Sequence, residues 1–181
     1  MRFQPGHHGN SFDRIGGVPT HLPDSVPRSA AASGEELAFI AQFYCTPERL
    51  NIPGTLCIQL YQEADVGEGG DPLPVAIQVP LGARENGRKL GIVHPGINPY
   101  EIFWEAKDDP DELPDDLGLS DETAYLLDSK IGGTPCYTDD ELPAGHRYLL
   151  QLDQMPAGFN FADRRAMVTL GPDQKLHVRL Q

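Results

Sequence analysis

The chain has 181 residues, with 14 Lys+Arg against 27 Asp+Glu and a net charge of −13. That length suits one domain with its own core, and 39% hydrophobic residues with 19 Gly and 17 Pro exclude disorder throughout, collagen-like repeats and coiled coil. So acidic a surface repels phosphate, which argues against nucleic acid and anionic membranes as partners and for a basic protein.

Residues 1–36 scatter a few apolar positions among Gly, Pro, His and Ser and are expected to form an irregular lead-in. They hold no apolar leader, and no stretch nears the ~20 apolar residues of a membrane-spanning helix, so a cytoplasmic location is expected. LAFIAQFY (37–44) reads as a buried strand. TPERL (46–50) reads as one helical turn, with Thr46 as N-cap and Pro47 in the first helical position. After the Pro53-Gly54 turn, TLCIQLYQ (55–62) is a second strand and 63–74 a loop, and VAIQVP (75–80), KLGIV (89–93) and YEIFWEAK (100–107) are further strands. An acidic, Pro-punctuated loop follows, and Ser120 caps an expected short helix, DETAYLLDSK (121–130), which Gly132-Gly133 stops. HRYLLQLDQ (146–154), RAMVTL (165–170) and KLHVRL (175–180) complete the strands, the last two forming a hairpin about Gly171-Pro172-Asp173. The sum predicts a β-rich α+β fold of antiparallel sheets with one or two short helices.

One pattern recurs. Arg14-Ile15-Gly16-Gly17-Val18-Pro19 is echoed by Lys130-Ile131-Gly132-Gly133-Thr134-Pro135, and each copy precedes an apolar strand carrying a glutamine, Gln42 or Gln151. This order predicts an internal duplication within a single domain spanning 1–181, with half-repeats at 10–62 and 126–181 around an unassigned middle, 63–125. Paired glycines permit positive φ, and each downstream proline holds its chain extended. Each glutamine is expected to satisfy backbone groups of an irregular buried turn.

With these motifs, with L-x-F-x-A-Q (37–42), L-x-x-P-G-x-L (50–56) and L-L-Q-L-D (149–153), the chain resembles the YwqG-like family of bacterial domains from about residue 10 onward. That family has no established catalytic residues to carry over. The resemblance implies an immunity or accessory protein of toxin–immunity loci.

The residues themselves offer little catalytic chemistry. GxSxG, GxxxxGK[ST], HExxH and GxGxxG are absent. His7, His8, His21, His94, His146 and His177 lack metal-ligand spacing, so neither a metal nor a cofactor is expected. Cys45, Cys57 and Cys136 are too few for a disulfide framework; Cys136, with His146 ten residues on, is the best nucleophile candidate but reads more simply as inert. The acidic run is more informative. Nine carboxylates against Lys107 between Glu105 and Glu122 carry −8 of the −13. Trp104, Glu105, Asp108, Asp109, Asp111, Glu112, Asp115 and Asp116 are the candidate partner-binding residues, with an aromatic anchor beside an acidic patch. The expected function is a non-catalytic immunity protein that neutralises a basic toxin domain. A ligand-binding or enzymatic pocket between the two halves, and an effector adaptor or chaperone, are the alternatives.

Overall fold

A computed structural model describes residues 12–29, 34–64, 73–104, 108–109, 128–136, 142–154 and 157–181. Nine strands run through them: β1 (Arg14–Ile15), β2 (Ala38–Tyr44), β3 (Thr55–Gln62), β4 (Val75–Pro80), β5 (Tyr100–Glu101), β6 (Lys130–Ile131), β7 (Arg147–Asp153), β8 (Arg165–Leu170) and β9 (Leu176–Leu180). They form two antiparallel sheets, ordered β4-β3-β2-β1-β5 and β6-β7-β8-β9.

The strand register repeats between the two sheets. Arg14 lies opposite Gln42 and Ile15 opposite Ala41; in the second sheet Lys130 lies opposite Gln151 and Ile131 opposite Leu150. Both long strands bulge at the equivalent point, between Phe39 and Ala41 in β2 and between Tyr148 and Leu150 in β7. A bulge turns successive residues to one side, so Ile40-Ala41 and Leu149-Leu150 all enter the core. The N–H of the first glycine of each turn donates to the bulged carbonyl, Gly16 to Ile40 and Gly132 to Leu149, both at 2.8 Å. The four-stranded unit β1–β4 thus corresponds to β6–β9, so the first unit runs on to Pro80.

One apolar core joins the sheets, bringing Ile40, Phe43 and Leu60 together with Leu149, Leu152, Phe159 and Val168. At one edge Gln78 Nε2 of β4 donates to the Gln174 carbonyl at 2.6 Å, beside the start of β9. The far face of the first sheet is also buried: Phe39 and Tyr61 pack edge-to-face there, with ring centroids 5.8 Å apart, and Leu37 and Val26 cover them.

The α+β expectation is corrected: among the described residues there is no helix, and the fold is all-β. At 46–50, the N–H groups of Arg49 and Leu50 both donate to the Thr46 carbonyl at 3.1 Å. The turn goes no further, because Ile52 N–H folds back on Leu50 and Pro53 cannot donate. The expected helix at 121–130 falls largely outside the described residues; its last residue, Lys130, opens β6 instead of capping a helix. The strand expected at 89–93 is absent too. Asn86 captures both the N–H and the carbonyl of Leu90, at 2.8 and 2.6 Å, and Lys89 and Gly91 adopt positive φ, so only Val93 bridges to Phe39. Of the strand expected at 100–107, Tyr100–Glu101 pairs and 102–104 does not, while 105–107 lie outside the described residues. Among the described residues no helix is long and apolar enough to cross a membrane.

Candidate functional site

The two Gly-Gly turns are held by the two glutamines in the same way. Gln42 Nε2 donates to the Phe12 carbonyl at 2.9 Å, two residues before Arg14, and its Oε1 accepts from Thr20 N–H at 3.1 Å, six residues after it. Gln151 Nε2 donates to the Asp128 carbonyl at 2.8 Å and its Oε1 accepts from Cys136 N–H at 3.2 Å, again two before and six after Lys130. Each amide therefore closes a nine-residue loop across its neck. Gly16, Gly17, Gly132 and Gly133 all have positive φ, from 65° to 74°. At Gly16 space also decides: a Cβ would sit 2.9 Å from the Ile97 carbonyl oxygen. Pro19 is buried and its carbonyl accepts from Asn86 Nδ2 at 2.9 Å, whereas Pro135 is half-buried.

A second pair of equivalents lies one residue before each motif. Asp13 Oδ1 accepts from Tyr44 N–H at 2.6 Å, and Ser129 Oγ accepts from Asp153 N–H at 2.8 Å. Asp13 does more. Its Oδ2 accepts from Trp104 Nε1 at 2.6 Å and pairs with Arg49 at 2.7 Å, while the Arg49 guanidinium lies 5.7 Å from the Trp104 ring centroid. Burial pushes the Asp13 carboxyl above its ordinary range, against the hydrogen bonds and Arg49, which pull it down.

This arrangement redistributes the expected acidic patch. Trp104 is half-buried against the core, 6.0 Å from Phe43 between ring centroids, with its indole N–H committed to Asp13. Asp109 is turned inward: its Oδ2 accepts from Lys130 Nζ at 2.5 Å and from Thr134 N–H at 3.2 Å, with side-chain exposures of 9% for Asp109 and 3% for Lys130. Asp108 is exposed. Glu105, Asp111, Glu112, Asp115 and Asp116 lie outside the described residues.

Cys136 is buried and its thiol is pushed up by desolvation; burial drives Cys45 to about 11 and Cys57 to about 12. His146 meets Thr169 Oγ1 through Nδ1 at 3.0 Å and packs its ring on His177. Cys57 and Cys136 are buried and Cys45 half-buried, and desolvation favours the protonated form of all three.

The first half carries a polar network that the second does not repeat. Tyr61 Oη donates to Gln59 Oε1 at 2.8 Å; Gln59 Nε2 donates to Gln42 Oε1 at 3.0 Å and to the His21 carbonyl at 2.8 Å. Gln42 Nε2 also donates to Thr20 Oγ1 at 2.7 Å. Both amide hydrogens and both acceptor sites of Gln42 are then in use. Thr20 Oγ1, Tyr44 Oη and His21 Nδ1 close a triangle of 2.8, 2.7 and 3.1 Å. The two hydroxyls and the His21 ring share these three contacts, the donor or acceptor role of Nδ1 following from the tautomer of the ring.

His21 and Thr20 form one wall of a 340 Å³ pocket, with Phe12, Arg14, Val18 and Pro19 beside them and Glu85, Asn86, Gly87 and Lys89 opposite. The far loop is strapped down: Asn86 N–H donates to the Thr20 carbonyl and Leu22 N–H to the Arg84 carbonyl, both at 2.8 Å. A smaller recess of 190 Å³ lies on the other side of Arg14, against Gly16, Gly17, Pro99, Tyr100 and Glu101. Two buried polar atoms there have no hydrogen-bond partner, Arg14 Nε and Tyr100 Oη. Burial pushes the Tyr100 hydroxyl up to about 12.

Sequence reasoning assigned Gln42 to this turn but missed Thr20, His21, Tyr44 and the far loop. A signal was present: Arg84, Arg88 and Lys89 fall within six residues of a strongly acidic chain. Compared with known proteins, the chain matches no family model, no curated protein and no solved structure.

Proposed function

We propose that this is a binding protein whose ligand site is the pocket beside the first Gly-Gly turn, with a scaffold of the YwqG-like kind. The observation that carries the reading is the network from Tyr61 to His21, buried at Tyr61, Gln59 and Gln42, half-buried at Thr20, Tyr44 and His21, and hydrogen-bonded along its length, which fixes one pocket wall in a single conformation. Pockets preorganised in this way hold small ligands at low entropic cost. This is the ligand-binding alternative of the sequence reading, moved from between the halves into the first half. A binding role is favoured over catalysis because Thr20 and Tyr44 spend their hydroxyls on each other and on His21, and because desolvation disfavours the thiolate at all three cysteines.

A screen of small polar fragments against the full chain, read by amide chemical shifts, tests the site. Hits should move Thr20, His21 and the 86–89 loop together. A screen whose hits all map elsewhere refutes it.

The net charge of −13 favours a second reading, a cytoplasmic immunity protein that clasps a basic toxin domain. With Asp109 paired internally, exposed Asp108 and the other carboxylates of 105–122 would supply that contact. Co-expression with a toxic neighbouring gene tests it, and failure to rescue growth counts against it.

A further inference from the structure

The pocket lies in one half of a duplicated scaffold, and the other half supplies a comparison within the same chain. By register Arg14 is the equivalent of Lys130. In the second half Lys130 is neutralised by the chain's own carboxylate: Asp109 Oδ2 accepts from Lys130 Nζ and from Thr134 N–H, almost without solvent. In the first half the same flank carries proline. A Cβ on Gly133 would collide with the Asp109 carboxylate, whereas a Cβ on Gly17 would meet Pro99 Cβ at 3.2 Å. Among the described residues, no acid pairs with Arg14. Glu101 faces it from β5 without forming an ion pair, and Arg14 Nε is buried with no hydrogen-bond partner.

Resting on the pocket reading, we propose that the ligand is a small molecule bearing a carboxylate, which reaches Arg14 from the 340 Å³ pocket and neutralises it as Asp109 neutralises Lys130. The change from lysine to arginine fits the assignment. A guanidinium offers a planar pair of donors that matches a carboxylate two-to-two, where an ammonium offers a point charge. Lys89 adds positive charge to the same pocket, and His21 lines it with Nδ1 engaged by Tyr44. Glu85 is the one acid lining it, and it is exposed on the far loop. The 340 Å³ volume suits a metabolite-sized ligand rather than a macromolecular surface.

The test titrates the full chain with acetate, succinate, citrate and glutamate. Succinamide serves as the neutral counterpart and inorganic phosphate as the competing anion, and the readouts are amide and arginine Nε–H signals together with calorimetry. At least one carboxylate should bind saturably and move Arg14 Nε–H, Thr20 and His21. Arg14→Gln should weaken that binding about tenfold or more, the scale of a lost charge-assisted pair, while Lys89→Gln, on the exposed loop, should weaken it less. Pro99→Asp, which offers Arg14 an acid of the chain's own from the smaller recess, should weaken binding with the fold intact by amide dispersion. A merely structural role for Arg14 would not produce that loss.

Failure of all four carboxylates, unchanged affinity in Arg14→Gln, or tighter binding of phosphate would overturn the proposal. Should succinamide or neutral fragments bind among Thr20, His21 and the 86–89 loop while carboxylates do not, the pocket stands and the carboxylate assignment falls. If no probe of either kind perturbs those residues, both fall.

Discussion

Replacing Gln42 with leucine removes an amide whose hydrogen-bond partners are Phe12 O, Thr20 N–H, Thr20 Oγ1 and Gln59 Nε2, while keeping much of its volume. Phe12 is 57% exposed, so water can reach its carbonyl, and the Thr20 hydroxyl keeps Tyr44 and His21. The uncompensated losses are Thr20 N–H and one N–H of Gln59, itself fully buried. At about 1–3 kcal/mol for each buried donor left unsatisfied, Gln42→Leu should cost about 3 kcal/mol. For a chain of this size that corresponds to a fall in melting temperature of about 6–12 °C. Differential scanning calorimetry or thermal circular dichroism reads it. Gln151→Leu orphans Cys136 N–H and the Asp128 carbonyl and should cost about 2 kcal/mol, or about 4–8 °C. Gln42→Glu sharpens the test. The carboxylate would face the Phe12 carbonyl and Thr20 Oγ1 where two N–H donors stood, so burial and lost donors raise its pKa in the folded state. The folded form then binds the proton more tightly than the unfolded one, and the variant should regain stability as the pH falls through that raised value. Leucine variants that melt within about 1 °C of the parent, well inside the shift expected for one lost buried hydrogen bond, would refute the clamp.

Other perturbations separate further parts of the scaffold. Gly16→Ala meets both a φ of +65° and the Ile97 carbonyl, while Gly132→Ala, at φ +67°, meets nothing within 4 Å; chemical denaturation should find Gly132→Ala costing about 1–2 kcal/mol and Gly16→Ala clearly more. Lys130→Met leaves Asp109 buried without its cation and should cost about 3–5 kcal/mol, and pairing it with Asp109→Leu should recover much of the loss in a double-mutant cycle. His94 is buried, accepts from Gly96 N–H at Nδ1, and has its pKa lowered by desolvation. The unfolded chain therefore binds the His94 proton more readily, so stability from this group is present above its ordinary value and lost as pH falls below it. His94→Asn should flatten that acid-side slope in denaturation curves taken from pH 8 to pH 5.

The strands were legible where the pattern was long and apolar: β2, β3, β4, β7, β8 and β9 all lie within runs of β-branched, aromatic and leucine residues. The repeat was legible because Ile-Gly-Gly-x-Pro is a local motif. What misled lay in contacts between segments distant in sequence. At 89–93 the branched residues read as strand, but Asn86 engages Leu90 and the chain turns through positive φ, an arrangement tied to the Pro19 carbonyl 67 positions earlier. Trp104 and Asp109 stand in an acidic segment that reads as solvated, yet their partners, Asp13 and Lys130, are 91 and 21 positions away. His21 gives no signal of its own, because its role depends on Tyr44, which the β2–β1 pairing brings beside it.

The two related turns differ in how their cations are met. Two copies of a motif relieved of identical constraints diverge at the position whose burial is most costly, and here that is the cation before Ile-Gly-Gly. Burying an ammonium without a partner is prohibitive, so the second half retains Asp109, and its polar contacts are spent on holding its own turn. The first half keeps its cation half-buried and sets proline beside its second glycine, where the second half has the acid. What it gives up in internal pairing it recovers through the Gln59–Gln42–Thr20–Tyr44 network, which stiffens the turn without consuming Arg14. The same neck-closing glutamine thus supports a turn shut by its own carboxylate in one half and an open turn in the other.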